Sequence, residues 1–190
     1  DPLVKRMAPK LVGSITRAVH LCESTLAFGK AEEPGPTLAR VQLAETVSDV
    51  IEAERLAVDS YDLSFAEDIP AMLTLRADPE QLYRVLSNLV RNARQAIVAS
   101  GKPGEIAVSA REDADAWWIE VADTGPGLPP KAREHLFMAF QGGTRKGGSG
   151  LGLAISHELI RGHGGTLSLL HSGPDGSTFS ICLPKGDGAL

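Results

Sequence analysis

The chain has 190 residues, 43% apolar, 23% charged and only 5% aromatic, enough for one largely aliphatic core and an appendage. Nineteen Lys and Arg against 24 Asp and Glu leave a net charge of -5, which speaks against a dedicated nucleic-acid binder. There is no apolar run long enough to span a membrane and no signal peptide, and Cys22 and Cys182 stand too far apart in sequence to suggest a zinc site or disulfide framework, so a reducing cytoplasm fits.

The first 29 residues read as one helix. Leu3, Val4, Met7, Leu11, Ile15, Val19, Cys22 and Leu26 fall on a single stripe, interrupted only by the local effect of Pro9. Such a stripe needs a partner helix, and the chain opens without Met inside it. The expectation is therefore a piece of a longer protein. Gly29 ends the helix, and Glu32-Glu33-Pro34-Gly35-Pro36 has linker composition. The pattern divides the chain into a helix at 1–30, a linker at 31–40, a main domain at 41–185 and a tail at 186–190.

Within the main domain a helix is expected over 43–56, then short strands over 61–65 and 72–75. Asp78-Pro79-Glu80-Gln81 is a helix start with concordant signals: Asp as N-cap, Pro at the first turn and Gln three residues on. That helix should run over 78–99 and stop before Gly101. Strands follow over 105–110 and 117–121, then a short helix over 131–140, a helix over 151–161 ended by Gly162, and a hairpin of 166–170 with 178–183 around Gly173-Pro174-Asp175-Gly176. Long helices mixed with hairpins predict an α+β sandwich on an antiparallel or mixed sheet.

Three places carry chemistry. On the 78–99 helix, Asn88 and Asn92 lie one turn apart with Gln95 on the next turn. Asn is a poor helix former, so the pair is either two solvent-facing amides or oxygen ligands for a hard cation such as Mg²⁺. Asp123-Thr124-Gly125-Pro126-Gly127 follows a strand, as a surface turn or as a carboxylate placed to accept from an exocyclic amine. Gly147-Gly148-Ser149-Gly150-Leu151-Gly152-Leu153 opens a helix, where backbone amides suit a phosphate. The preceding stretch, with Arg145 and Lys146, is a mobile lid or simply a solvated loop.

These elements, with Phe137 and Phe140 before the lid and Gly176-Ser177-Thr178-Phe179 near the end, follow in one order. Together they resemble the ATP-binding domain of sensor histidine kinases, in the wider group of gyrase B, Hsp90 and MutL. The resemblance covers roughly 41–185 and implies the Bergerat α/β sandwich, with helices packed on one mixed sheet. It implies that Asn92 ligates Mg²⁺, with Asn88 and Gln95 beside the phosphates of ATP. Asp123 would read adenine, helped by Thr178, with Gly125 and Gly127 lining the base. Gly148, Gly150, Leu151, Gly152 and Leu153 would cradle the triphosphate, Lys146 would reach it, and Asn88 and Lys146 would be the catalytic pair.

Two departures stand out. Many members carry Lys three positions after the metal-binding Asn, where this chain has Gln95; Arg91, Arg94, Arg145 or Lys146 are the candidate replacements. Relatives that hydrolyse ATP carry a general-base Glu at the place of Asn88, so slow intrinsic hydrolysis is expected. The N-terminal helix resembles the second helix of a dimerisation hairpin, and none of the five histidines stands in a phospho-acceptor setting. The resemblance thus implies a protein-histidine kinase fragment that acts on a histidine helix absent from this chain, for onward transfer to a response regulator. The full protein would be a homodimer, with membrane anchoring left open. A nucleotide-binding adaptor of the same fold is the alternative.

Overall fold

A computed structural model of the protein describes residues 35–58, 61–139 and 150–186. The helix expected over 1–29, the start of the linker, the lid at 141–149 and the last tail residues lie outside them. Residues 35–130 and 156–186 belong to one compact unit; 131–139 and 150–155 belong to a second.

The elements in chain order are β1 (Ala39–Gln42), α1 (Leu43–Leu56), β2 (Leu63–Asp68), β3 (Thr74–Ala77), α2 (Pro79–Ser100), β4 (Gly104–Glu112), β5 (Ala116–Asp123), α3 (Pro130–Glu134), α4 (Gly152–Gly162), β6 (Thr166–Gly173) and β7 (Gly176–Pro184). Five strands form a mixed sheet in the order β2-β4-β5-β7-β6, parallel only between β2 and β4. A second, two-stranded sheet pairs β1 with β3 antiparallel. This is the expected α+β sandwich with one addition, since the sequence suggested neither β1 nor its small sheet. The helix expected over 131–140 is only Pro130–Glu134, followed by a turn. The third strand starts at Thr74 and not at 72, because Leu73 N–H donates to Pro70 C=O (2.9 Å) and closes a turn that leaves Met72 exposed.

One face of the sheet is apolar. Along β5, Trp117, Ile119 and Val121 are buried on alternate positions, opposite Leu183, Ile181 and Phe179 of β7. Ile106 and Val108 of β4 continue the layer. α2 packs on β4 and β5. It lays down Leu82, Val85, Leu86, Leu89, Ala93 and Ile97, all buried, as the 3.6-residue stripe requires. Helix α1 adds Leu43, Val47, Val50 and Ile51 against α2. Burying a Leu or Ile contributes about 1.5–3 kcal/mol each, which is what fixes α2 to the sheet.

The start of α2 is fastened twice. Asp78 Oδ1 accepts from Gln81 N–H (3.0 Å), the expected N-cap, and Oδ2 accepts from Thr37 N–H (2.9 Å). Gln81's amide, first of all, holds the Asp78 carboxyl below its ordinary value of 3.8. The Asp78 amide in turn donates to His163 Nε2 (3.0 Å), and His163 Nδ1 lies 2.7 Å from Leu159 C=O. Both contacts are met by the neutral imidazole with its proton on Nδ1. Gly101, in left-handed conformation (φ 71°), ends the helix. Among the described residues no helix is long and apolar enough to cross a membrane.

Candidate functional site

The inward row of β5 ends in a carboxylate. Trp117, Ile119, Val121 and Asp123 alternate onto the same face, so Asp123 stands at the polar end of an otherwise apolar layer. The chain then turns tightly: Gly125 N–H donates to Asp123 Oδ1 (2.7 Å). Gly125 is buried, and a Cβ there would stand 2.7 Å from that oxygen and 3.3 Å from Ala96 Cβ. The turn after Asp123 therefore rests on α2 at Ala96.

This contact sets Asp123 and the helix amides on the same side. Ala96, Asn92 and Asn88 follow at intervals of four on α2, along one line of its surface. From Ala96 to Asn88 is about 12 Å at 1.5 Å per residue. Asn92 is half-buried, and Gln95 lies beside Ala96, also half-buried. Asn88 is 6% exposed, and its amide is oriented at both ends. Nδ2 donates to Ser156 Oγ (3.2 Å) and Oδ1 accepts from Arg91 Nη2 (2.5 Å). Arg94 is engaged elsewhere, its Nε bonded to Glu54 Oε2 (2.5 Å) across to α1.

The far wall of the turn comes from β6 and β7. Gly127 has φ 71°, and a Cβ there would lie 2.2 Å from Gly173 C=O. Leu128 N–H donates to Ser172 Oγ (2.7 Å), which is 3.2 Å from Ser177 Oγ. Gly176 (φ 136°) lets the hairpin pass Asp123 C=O, which a Cβ would meet at 1.8 Å. The register sets Ser177 directly across from Asp123 and Thr178 across from Ala122. Strand alternation puts Ser177, 4% exposed, on the Asp123 face and Thr178 on the opposite face. The hydroxyl beside Asp123 is thus that of Ser177, where the resemblance had suggested Thr178. The sequence held the signal: counting back two from the inward Phe179 lands on Ser177.

In the second unit, Gly150 adopts φ 69° and Ile155 N–H donates to Leu151 C=O (2.9 Å), so α4 begins where the glycine pattern expected. Leu151 is buried, and Gly152 and Leu153 are half-buried. The amides of such a helix start suit an anion. Lys146 and Gly148 lie outside the described residues, as do Arg145 and Phe140.

A mixed sheet covered on one face, with paired amides on the covering helix and a carboxylate at a strand end beside a glycine turn, defines the nucleotide-binding sandwich of the histidine kinase and gyrase type. The chain belongs to the histidine kinase-, DNA gyrase B- and HSP90-like ATPase family, whose model matches residues 77–187. It is 30% identical over 188 residues to the sensor-like histidine kinase SenX3 of Mycobacterium tuberculosis, covering 95% of this chain and 45% of SenX3. It is 35% identical over 194 residues to the sensory histidine kinase/phosphatase NtrB of Escherichia coli O157:H7, covering 96% of this chain and 48% of NtrB. The chain thus spans about half the length of these relatives. Among solved structures, the mycobacterial sensor histidine kinase MprB superposes with a TM-score of 0.65 at 28% identity, covering 77% of this chain and 96% of that one. The relatives are sensor kinases, and the domain is of the sensor histidine kinase ATP-binding type.

Proposed function

We propose that this chain is the catalytic domain of a two-component sensor histidine kinase. It binds Mg-ATP and hands the γ-phosphoryl group to a histidine on a separate helix, from which a response-regulator aspartate receives it. The observation that carries the reading is that the Gly125 turn, whose amide donates to Asp123 at the end of the buried β5 row, rests on Ala96 of α2, the helix that bears Asn92 and Asn88.

Each residue has a role in keeping with its surroundings. Asp123 accepts from the adenine amine, with Ser177 beside it, and Gly125 and Gly127 let the flat base approach backbone. Asn92 fits Mg²⁺. It is a half-buried neutral oxygen donor one turn from Asn88, whose own Oδ1 is turned to Arg91. Mg²⁺ is held by one or two protein ligands when phosphates supply others, and it would neutralise charge on the triphosphate. Gln95 lies alongside Ala96, and the resemblance assigns Gly148, Gly150, Leu151, Gly152, Leu153 and Lys146 to the phosphates. Asn88 is no base: a carboxamide already bonded to Arg91 and Ser156 takes no proton from water. Its work is to position the γ-phosphate, so transfer to a protein acceptor is favoured over hydrolysis.

The whole protein would be a homodimer acting on the cytoplasmic side, and it would include the acceptor helix. The test is incubation with γ-labelled ATP, a purified hairpin carrying an acceptor histidine, and a regulator. Acid-labile label on the hairpin that moves to the regulator is expected. Nucleotide binding without transfer would make the chain an adaptor, and steady phosphate release without acceptor would make it an ATPase.

A further inference from the structure

Gln95 is neutral, so a cation for the phosphate end of the site must come from elsewhere, and of the three arginines of α2, Arg84, Arg91 and Arg94, the last two differ plainly in their partners. Arg94 is spent on Glu54, in an ion pair whose side chains are only 18% and 13% exposed. Arg91 is different. It is half-buried, and among the described residues its one polar partner is the neutral Asn88 Oδ1 and no carboxylate lies within ion-pair reach. Arg111 with Asp113 and Arg161 with Glu158, by contrast, are surface pairs. A partly desolvated guanidinium whose charge meets no anion is unusual, because burying an unpaired charge is costly. The guanidinium keeps donors beyond the one given to Asn88, in a planar fork suited to phosphate oxygens. It also sits at the correct end. The base turn touches α2 at Ala96, and Arg91 binds Asn88, two turns toward the helix start.

We propose that Arg91 is the cation that meets the polyphosphate of the bound nucleotide, taking the part left open by Gln95, while it holds the Asn88 amide in place. The inference rests on the nucleotide reading above and names the phosphate-binding residue within it. It predicts a dependence on phosphate number that an arginine supporting only the fold would not give.

The test measures affinities for AMP, ADP and Mg-ATP by competition against a fluorescent adenine nucleotide, for the wild type, Arg91→Ala, Arg91→Gln and Arg91→Lys, with melting temperatures alongside. Arg91→Ala and Arg91→Gln should weaken Mg-ATP by at least about tenfold, ADP by less, and AMP by under about twofold. Arg91→Lys should restore most of the loss, since it keeps the charge. Equal losses for AMP and ATP, no loss at all, or failure of Arg91→Lys to recover more than Arg91→Gln would each overturn the proposal. Asp123→Asn, run in parallel, separates the two levels. It should weaken all three nucleotides alike, and if it weakens none, it is the site reading that fails and not the choice of arginine.

Discussion

Asp123 has an observed local contact and a proposed ligand contact, which a pair of substitutions can pull apart. Its Oδ1 takes the Gly125 amide at 2.7 Å, and Gly125 is buried. Asp123→Ala orphans that N–H, at about 1–3 kcal/mol. For a domain of this size each kcal/mol is worth about 2–4 °C, so the melting temperature should fall by roughly 2–12 °C. Asp123→Asn keeps an oxygen for Gly125, so melting should stay near wild type. The Asn Nδ2 then occupies the position of Oδ2 and offers a donor where the carboxylate offered an acceptor. If that group reads an exocyclic amine, a charge-assisted bond of about 1.5–3 kcal/mol is lost, or about 10- to 150-fold in affinity. The assay is isothermal titration with Mg-ATP, paired with thermal unfolding of each variant. Native melting with wild-type ATP affinity in Asp123→Asn would refute the reasoning, because it would leave the carboxylate with a purely local role.

Further outcomes follow from other contacts. Asn92→Ala should bind ATP equally with magnesium and with chelator, at the level the wild type shows in chelator; retained magnesium enhancement by titration calorimetry would contradict its role. Gly176→Ala, with a Cβ 1.8 Å from Asp123 C=O at φ 136°, should cost more than about 2 kcal/mol and weaken nucleotide binding, whereas Gly101→Ala, in open space at φ 71°, should cost about 1 kcal/mol and leave binding intact, both read by urea unfolding and titration. Asp78→Ala should cost about 1–2 kcal/mol at pH 7. Because the folded carboxyl lies below 3.8, its ionised form stabilises the fold above that pH, and this contribution disappears as pH falls through the lower folded value. The unfolding gap between wild type and Asp78→Ala should therefore be full from pH 5 to 7 and narrow below about pH 3.5.

Local signals decided what the sequence revealed. Helix α2 was legible almost to the residue, because Asp78-Pro79 marks its start, Gly101 its end, and the apolar stripe between is long enough to be unambiguous. Asp123 was legible as a polar residue closing an apolar strand before two glycines. The small β1–β3 sheet was not, since four residues hold too few alternations and their pairing partner lies far along the chain. Thr178 and Ser177 show the cost of a one-residue ambiguity: two adjacent hydroxyls sit on opposite faces, and only parity counted from Phe179 tells them apart. His163 gave no sign that it would accept from the Asp78 amide, because that contact joins the end of one helix to the start of another.

The carboxylate of Asp78 ties Thr37, arriving from the N-terminal side, to the first turn of the helix that carries the amides. A displacement of the chain at Thr37 is therefore passed to the start of the amide-bearing helix through one side chain, in addition to the covalent path through β1.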